Sequence, residues 1–277
     1  MDRWDGRNYR RVLMVNGRAR EITVTQTAPA ELSVAVSGIR PGRAAEAAVS
    51  TVSAALERML GLSVNLSGFY RHAARDPALG PLAQQFRGLK PPRFPTLFEA
   101  LVNGIACQQV TLALGIALLN RLAEAYGVPY SSRVGTVHAF PRPDDLVDRS
   151  PSELRTLGFS RQKGRAIVEL VEAVASGQVD PEGWATLADE PLLERLCALR
   201  GVGRWTAEYV LLRGFGRLHV FPGDDAGARR GLTRWLALSK PPDYAGVRRA
   251  LARWQPHAGL VYFHLLLKRL AEAGSVA

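Results

Sequence analysis

The sequence predicts an α+β fold, in which a small antiparallel strand-and-helix domain precedes a mostly α-helical body. Short apolar and polar runs alternate between residues 9 and 38, and such alternation is typical of half-buried strands. Beyond residue 95 the apolar residues recur at helical spacing to the end of the chain. A proline-rich segment, residues 90–95, separates the two patterns and indicates a change of architecture.

The N-terminal part is predicted to form three strands and one helix. Asn16-Gly17 separates the first two strands, and both residue types tolerate the positive φ angles of a two-residue hairpin turn. Ala48, Val52 and Ala55 recur at roughly helical spacing after the third strand. The predicted strands cover residues 11–15, 21–25 and 31–36, and the helix covers residues 44–60.

The rest of the chain is predicted to be helical with short connections, and we place the domain boundary between residues 88 and 89. A domain of residues 1–88 therefore precedes a body of residues 89–277. The body shows no internal repeat and no low-complexity segment. Its predicted helical stretches are residues 96–126, 152–176, 191–214 (two short helices around a turn), 226–238 and 244–273.

Composition limits the function classes. The 277 residues contain 36 Lys+Arg and 25 Asp+Glu, a net charge of +11, which favours a nucleic-acid partner; the alternative is a basic enzyme from an arginine-rich proteome. Cys107 and Cys197 are the only cysteines, which excludes a disulfide framework, a four-thiolate zinc site and a four-cysteine iron–sulfur cluster. No apolar run reaches the roughly 20 residues of a membrane span, and residues 1–11 are too charged for a secretory signal. We therefore expect a cytosolic protein without membrane association.

A glycine hairpin lies between two helical stretches in the segment from Leu199 to Ala207. Gly201 and Gly203 allow close approach of backbone to backbone or to a ligand. Amides at the start of the following helix can hold a phosphate whatever the base sequence. A Gly-x-Gly turn alone is equally consistent with a plain helix-to-helix connection.

About twenty residues later comes the segment Val220-Phe221-Pro222-Gly223-Asp224-Asp225, followed by another helix. With this order of hairpin, helix, loop and aspartate, the sequence resembles the helix-hairpin-helix DNA glycosylase superfamily, and within it the bacterial 3-methyladenine DNA glycosylase II type. The resemblance extends over most of the chain. It includes the N-terminal domain, the segment 98–110, Trp205 after the hairpin and Arg253-Trp254-Gln255-Pro256.

The resemblance implies that Asp225 is the catalytic residue. Cleavage of an N-glycosidic bond builds positive charge on the deoxyribose, so an ionised carboxylate nearby lowers the barrier. A helix N-terminus favours the anionic form of such a group. An aspartate at this place is also an ordinary N-cap, and Asp224 is the alternative, since one aspartate can cap while the other faces the substrate.

Trp205 distinguishes two reaction types. The resemblance implies that this position carries a lysine in bifunctional members, where the amine attacks the sugar. Tryptophan cannot form that bond, so we expect water to be the nucleophile and an intact abasic site to be the product. Lys163 and Lys268 match no such motif.

The resemblance further implies a base pocket lined by Trp205, Tyr209, Ala226 and His257. An indole or phenol face attracts a positively charged alkylated purine. Ala226 and His257 replace aromatic residues of the best-known enzyme of this type, so we expect a roomier pocket that admits bulkier or etheno adducts. A stripe of Trp205, Tyr209 and Leu212 on one helix face is also consistent with core packing, and His257 with a solvent-facing side chain.

The implied DNA contacts are Gln108, Gln109, Gly201, Gly203, Arg204 and Thr206. By the same resemblance, Gln109 occupies the wedge position that fills the stack when a base rotates out of the duplex; a glutamine here is also consistent with a solvated surface. No cofactor is expected to be required. The resemblance also implies a structural Na⁺, K⁺ or Mg²⁺ ion on the main-chain carbonyls of Cys197, Leu199 and Val202.

The favoured function is therefore a monofunctional DNA glycosylase that hydrolyses alkylated bases such as 3-methyladenine and 7-methylguanine from double-stranded DNA. The alternatives are a non-catalytic hairpin DNA-binding protein, a bifunctional glycosylase/lyase, and a glycosylase for etheno or deaminated purines. We expect a monomer in the bacterial cytoplasm, associated with the nucleoid.

Overall fold

A computed structural model of the protein describes residues 1–39 and 43–274. The predicted α+β fold class is confirmed, with a small antiparallel sheet at the N-terminus and a helical body after it. The strands are β1 (Arg3–Trp4), β2 (Asn8–Val15), β3 (Arg18–Ala28), β4 (Glu31–Val36), β5 (Pro129–Ser132) and β6 (Gly135–His138). The helices are α1 (Arg43–Leu60), α2 (Ser67–Ala73), α3 (Leu79–Gln85), α4 (Leu97–Ala106), α5 (Leu112–Tyr126), α6 (Pro143–Leu146), α7 (Pro151–Thr156), α8 (Arg161–Ala175), α9 (Asp189–Ala198), α10 (Arg204–Val210), α11 (Ala226–Trp235), α12 (Tyr244–Leu251) and α13 (Ala258–Glu272).

The N-terminal sheet has the order β1-β2-β3-β4, with every neighbouring pair antiparallel. The predicted turn is confirmed, because Asn16 and Gly17 have φ angles of 49° and 75° and Val15 pairs with Arg18 across them. Positive φ at both central positions matches the right-handed twist of the strands. Alternate residues of β3 are buried, as Ile22 (0% exposed) and Val24 (5%) show, so one face of the sheet contributes to a core.

The prediction of one helical stretch over residues 96–126 is wrong, because α4 ends at Ala106 and α5 begins at Leu112. Gln109 adopts a left-handed φ of 52° between them, which a continuing helix does not allow. The Thr111 hydroxyl then caps α5 by accepting the Leu114 N–H at 3.2 Å. Each of the two helices has its own buried apolar face, so apolar residues continue on both sides of the break. Hydrophobic periodicity alone therefore does not show where one helix ends and the next begins.

Two further elements differ from the prediction. The strands β5 and β6 form a hairpin inside the part predicted to be helical, and their four-residue lengths give too little alternation to detect. The stretch 244–273 is divided into α12 and α13. Pro256 lies between them and has no N–H to donate, so it cannot sit in a helix interior.

The chain forms two compact units, each made of two separate stretches. The first combines Met1–Leu56 with Ile105–Pro181, and the second combines Glu57–Gly104 with Glu182–Ala277. The sequence-based boundary between residues 88 and 89 stays a prediction. Across residues 1–39 and 43–274, none of the helices combines the length and the apolar character that crossing a membrane requires.

The core of the second unit surrounds α13. Leu260, Val261, Phe263 and Leu265 are all at most 4% exposed. Trp254, which precedes this helix, is fully buried, and its indole N–H donates to the Asp76 carboxylate at 2.9 Å. Packing of this kind holds the start of α13 rigidly, so side chains on its inner face have fixed positions.

Candidate active site and nucleic-acid interface

Asp225 is the N-cap of α11, as the capping interpretation expects. Its backbone is extended, with φ −68° and ψ 109°, and its Oδ1 accepts the Ala228 N–H at 2.7 Å. The side chain therefore closes an otherwise unpaired amide at the positive end of the helix. Asp224, the alternative candidate, is exposed.

The second oxygen of the same carboxylate faces Trp205. Asp225 Oδ2 accepts the Trp205 indole N–H at 3.1 Å and the Tyr262 hydroxyl at 3.1 Å. One aspartate thus caps the helix and meets the aromatic residue that the sequence placed in the base pocket. An ionised carboxylate has about four acceptor positions, and three of them are filled, so its orientation is fixed and one position is left for a cationic partner.

Tyr262 is a site residue that sequence reasoning missed. It lies on α13, is 7% exposed, and meets the Phe221 ring edge-on at a centroid distance of 5.5 Å. Burial, and then the charge of Asp225, raise the pKa of the Tyr262 phenol well above its ordinary value. Tyr262 therefore stays protonated and acts as a hydrogen-bond donor. Nothing in its apolar sequence surroundings indicates this role.

Glu208 holds the loop that leads to Asp225. Its Oε2 accepts the Gly223 N–H at 2.9 Å and its Oε1 accepts the Tyr244 hydroxyl at 2.6 Å. The side chain is buried, and burial raises the pKa of the Glu208 carboxyl despite these two bonds. A Cβ on Gly223 would lie 2.7 Å from the Tyr244 ring, so glycine is required there. A lone acid within the apolar run Ala207–Val210 was the available sequence signal.

Trp205 and Tyr209 form the predicted aromatic pair on α10. Their rings stack with centroids 5.5 Å apart and planes 23° apart, and both side chains are half-buried. The Tyr209 hydroxyl donates to Asn103 Oδ1 at 3.0 Å, which fixes the orientation of the Tyr209 ring. Leu212, the third residue of the predicted stripe, is fully buried. The stripe therefore contributes Trp205 and Tyr209 to the candidate site and Leu212 to the core.

An arginine lies behind the aromatic pair. The Arg213 guanidinium carbon is 5.8 Å from the Tyr209 ring centre and 5.0 Å from that of Phe94. The Nε atom of Arg213 is buried and has no hydrogen-bond partner within the described residues. Because a cation already lies near Tyr209, Trp205 is the better surface for a positively charged base.

The other two predicted pocket residues are in different surroundings. Ala226 is exposed at the first position of α11, directly after Asp225. The His257 ring packs edge-on against Phe69 and against His72, each at 5.7 Å, and lines an open cavity of about 500 Å³. The assignment of His257 to the base pocket stays a prediction.

The glycine hairpin between α9 and α10 has the conformation that its sequence requires. Gly201 has a left-handed φ of 74° and is exposed, whereas Val202 between the glycines is 5% exposed and anchors the turn. A Cβ at Gly203 would meet nothing within 4 Å, so this residue faces open space. Arg204 is exposed, with its guanidinium carbon 4.6 Å from the Tyr244 ring centre.

Thr206, one of the implied DNA contacts, has a buried side chain. Its side chain is 1% exposed, and a Cβ added to Gly104 on α4 would lie 2.8 Å from its Cγ2 atom. The side chain therefore fills the space beside a helix glycine and cannot reach a nucleic acid. Any contribution of Thr206 to DNA binding is limited to its backbone.

The segment with the two glutamines forms the loop between α4 and α5. Gln109 is exposed with φ 52°, and Gln108 is half-buried. Lys163 Nζ, on α8, donates to the carbonyls of Ala106 at 2.8 Å and of Gln108 at 2.7 Å. Burial lowers the pKa of this Lys163 ammonium. Lys163 therefore holds the backbone on either side of Cys107. Gln109, which follows Gln108, is exposed to solvent.

The chain is similar to known DNA repair proteins. A family model described as "HhH-GPD superfamily base excision DNA repair protein" matches residues 102–257. A DNA-3-methyladenine glycosylase of Bacillus subtilis is 32% identical over 60% of this chain, and DNA-3-methyladenine glycosylase 2 of Escherichia coli is 32% identical over 53% of it. These alignments span 55% and 51% of the two curated relatives, so the chain matches about half of their length.

A solved structure extends the similarity to nearly the whole fold. The 3-methyladenine DNA glycosylase of Archaeoglobus fulgidus superposes with a TM-score of 0.84 at 27% identity, covering 99% of this chain and 91% of that one. The family match alone covers more than half of the residues and includes both the hairpin and Asp225. This chain belongs to the HhH-GPD superfamily of base excision DNA repair proteins.

Proposed function

We propose that the protein is a monofunctional DNA glycosylase that removes alkylated bases by hydrolysis of the N-glycosidic bond. The observation that carries the proposal is the Asp225 carboxylate, held at a helix start beside Trp205 by three hydrogen bonds. Neither a phosphate clamp nor a plain DNA-binding hairpin needs a carboxylate oriented in this way. Its unused acceptor position would face the sugar.

The proposed reaction uses this fixed negative charge. As the base leaves, the deoxyribose becomes cationic, and a carboxylate that is already oriented stabilises the transition state without reorganising. Water completes the reaction, since Trp205 stands where a lysine nucleophile would be needed. The Lys163 ammonium is bonded to two backbone carbonyls and is not available as an amine. The expected product is an intact abasic site.

The proposed substrates are positively charged alkylated purines such as 3-methyladenine and 7-methylguanine. The half-buried Trp205 indole supplies an electron-rich face, worth about 0.5–2 kcal/mol for a cation. The two curated relatives and the archaeal structure bear names that include 3-methyladenine. The small, exposed Ala226 favours a second candidate, the release of bulkier adducts such as etheno purines.

The proposed partner is double-stranded DNA, bound by a monomer in the cytoplasm and near the nucleoid. Gln109 would fill the gap left by the flipped base. A Na⁺, K⁺ or Mg²⁺ ion would be held by the carbonyls of Cys197, Leu199 and Val202, which supply the oxygen ligands that hard cations prefer. The Leu199 carbonyl also accepts the Val202 N–H at 3.1 Å, and such an ion would stiffen the turn.

The test uses methylated duplex DNA. The protein is incubated with it, and the DNA is then heated in alkali, which breaks the strand at abasic sites. Strand breaks that appear only after alkali support the proposal, whereas intact DNA identifies a binder without activity. Borohydride reduction during the reaction checks the lyase alternative, because a trapped covalent adduct would contradict a water nucleophile.

Tyr262→Phe is expected to lower the single-turnover rate of base release about tenfold, the loss of one hydrogen bond to a charged group. The variant removes one of the two donors that orient Asp225 Oδ2. Tyr209→Phe is the matched control, since its hydroxyl bonds to Asn103 and not to Asp225. Equal rates for the two variants would show that Tyr262 does not orient the carboxylate.

Lys163→Met is expected to impair base flipping and to slow release from duplex DNA roughly tenfold, because misplacing a positioned group by a fraction of an ångström has effects of this size. The substitution keeps the length of the side chain but removes both bonds to the loop carrying Gln109. Fluorescence of 2-aminopurine next to the lesion reports the flipped state. Lys268→Met controls for the lost charge, and an unchanged fluorescence signal in Lys163→Met would refute the role.

A further inference from the structure

An open cavity in the second compact unit plays no part in the chemistry proposed for Asp225. Its volume is about 500 Å³, and it is lined by Gly68, Arg71, His72, Arg75, Asp76 and His257. A volume in this range fits a small ligand or one unit of a larger one. The lining contains two arginines, two histidines and one acid, Asp76. The arginines are available to a ligand only if Asp76 is not paired with them.

The Asp76 carboxylate is occupied by its own surroundings. Oδ1 accepts the N–H groups of Ala78 at 2.9 Å and Leu79 at 2.8 Å. Oδ2 accepts the Trp254 indole N–H at 2.9 Å and lies 3.7 Å from the Arg253 guanidinium. The partners of this carboxylate therefore lie outside the cavity lining, and among the described residues it forms no ion pair with Arg71 or Arg75.

The guanidinium groups of Arg71 and Arg75 are not paired with other side chains among the described residues. Within residues 1–39 and 43–274, neither guanidinium makes an ion pair or a hydrogen bond, and both side chains are exposed. Arg71 lies in the last turn of α2 and Arg75 follows two residues after the helix ends, and both line the same cavity. Guanidinium groups at one cavity opening are suitable ligands for a phosphate, because each offers several N–H donors and a fixed positive charge.

Two imidazoles complete the lining. The ring centres of His72 and His257 are 5.7 Å apart. Gly68 leaves the His257 ring accessible, since even a Cβ there would lie 3.8 Å from its Cε1 atom. Burial, and then the neighbouring His72, lower the pKa of His257. A bound anion would act in the opposite direction on His257 and favour its protonated form, which donates from both ring nitrogens.

We propose that this cavity binds a phosphate group of the DNA backbone, with the guanidinium groups of Arg71 and Arg75 as charged ligands and the imidazoles of His72 and His257 as hydrogen-bond donors. The choice of DNA as the source rests on the proposed function. His257 directly precedes α13, and Tyr262, the partner of Asp225, lies five residues further. Five residues rise about 7.5 Å along a helix, and phosphates of one strand follow each other every 3.4 Å or so along the duplex axis. The cavity thus suits a phosphate within a few nucleotides of the flipped sugar.

The test compares the salt dependence of binding to undamaged duplex DNA. A plot of the logarithm of the DNA association constant against the logarithm of the salt concentration has a negative slope. In the double variant Arg71→Gln/Arg75→Gln this slope is expected to be less steep by about 0.9, the contribution of one lost phosphate contact. Arg18→Gln/Arg133→Gln removes the same charge from exposed positions in the first unit and should keep the wild-type slope. Equal slopes for both double variants would overturn the proposal.

A second arm separates DNA from free phosphate as the source. Inorganic phosphate is titrated into the wild-type protein while the Cε1–H signals of His72 and His257 are followed by NMR. A response to inorganic phosphate together with an unchanged DNA slope in Arg71→Gln/Arg75→Gln would identify a site for free phosphate and refute the DNA assignment. Base release from methylated DNA is measured on the same preparation. A wild-type protein that releases no base contradicts the proposed function, while the slopes on undamaged DNA still decide this inference.

Discussion

Asp225→Asn is expected to lower the rate of base release by about 10²–10³-fold, the usual effect of removing one preoriented electrostatic group from an active site. DNA affinity should change little, because the proposed DNA contacts come from other residues. Asparagine is a good N-cap, so the α11 start should survive. Its amide cannot accept from the Ala228 N–H and the Trp205 indole N–H at once, whereas the carboxylate does both. Single-turnover release from methylated duplex, with a binding titration beside it, measures both quantities.

Asp224→Asn is the matched control for this prediction. It makes the same change of charge one residue away, at an exposed position. The control should therefore retain the wild-type rate. If Asp225→Asn keeps its turnover while Asp224→Asn loses it, the carboxylate has been assigned to the wrong aspartate; if both variants remain active, neither carboxylate acts on the sugar.

Glu208→Ala is expected to reduce the free energy of unfolding by about 2–3 kcal/mol, since it leaves the buried Gly223 N–H and the Tyr244 hydroxyl without their acceptor. The rate of base release should fall as well, because the loop from Gly223 to Asp225 loses its anchor. Urea unfolding and single-turnover release measure the two effects. A variant that loses stability but keeps its full rate would show that Glu208 supports the fold without positioning Asp225.

Glu208→Gln is the variant that tests the geometry. Its carbonyl can accept the Gly223 N–H, and its amide can donate to the Tyr244 oxygen. We therefore expect stability and rate close to those of the wild type. Loss of stability as large as in Glu208→Ala would mean that the charge of Glu208, and not its hydrogen bonds, holds the loop.

We expect the difference in stability between the wild type and Glu208→Gln to depend on pH. Burial raises the folded-state pKa of Glu208 above its ordinary value of 4.5, so the folded state binds the proton more tightly than the unfolded state. The stability of the wild type, measured relative to Glu208→Gln, should be greatest below pH 4.5 and should fall as the pH rises through the folded-state pKa. A difference that is constant with pH would contradict the buried environment of Glu208.

Much of the site was predictable because its motif is local in the sequence. Although the role of Trp205 came from the family resemblance, Gly201 and Gly203 belong to one turn, whose backbone geometry follows from the glycines themselves. Asp225 before a helix is predictable for the same reason. The burial of the Thr206 side chain was not predictable, because its neighbour in space, Gly104, is about a hundred residues away in the chain and periodicity does not report such a contact.

The sequence by itself determined the α+β class, the Asn16-Gly17 turn, the hairpin and the aspartate at the start of α11, since each depends on residues close together along the chain. Only the tertiary structure decided which groups surround that aspartate. Tyr262 reaches Asp225 from 37 residues away, Lys163 reaches the loop of Gln109 from α8, and His257 lies in a cavity with His72. Such meetings depend on how helices pack, and the side-chain packing that fixes them involves residues far apart in sequence.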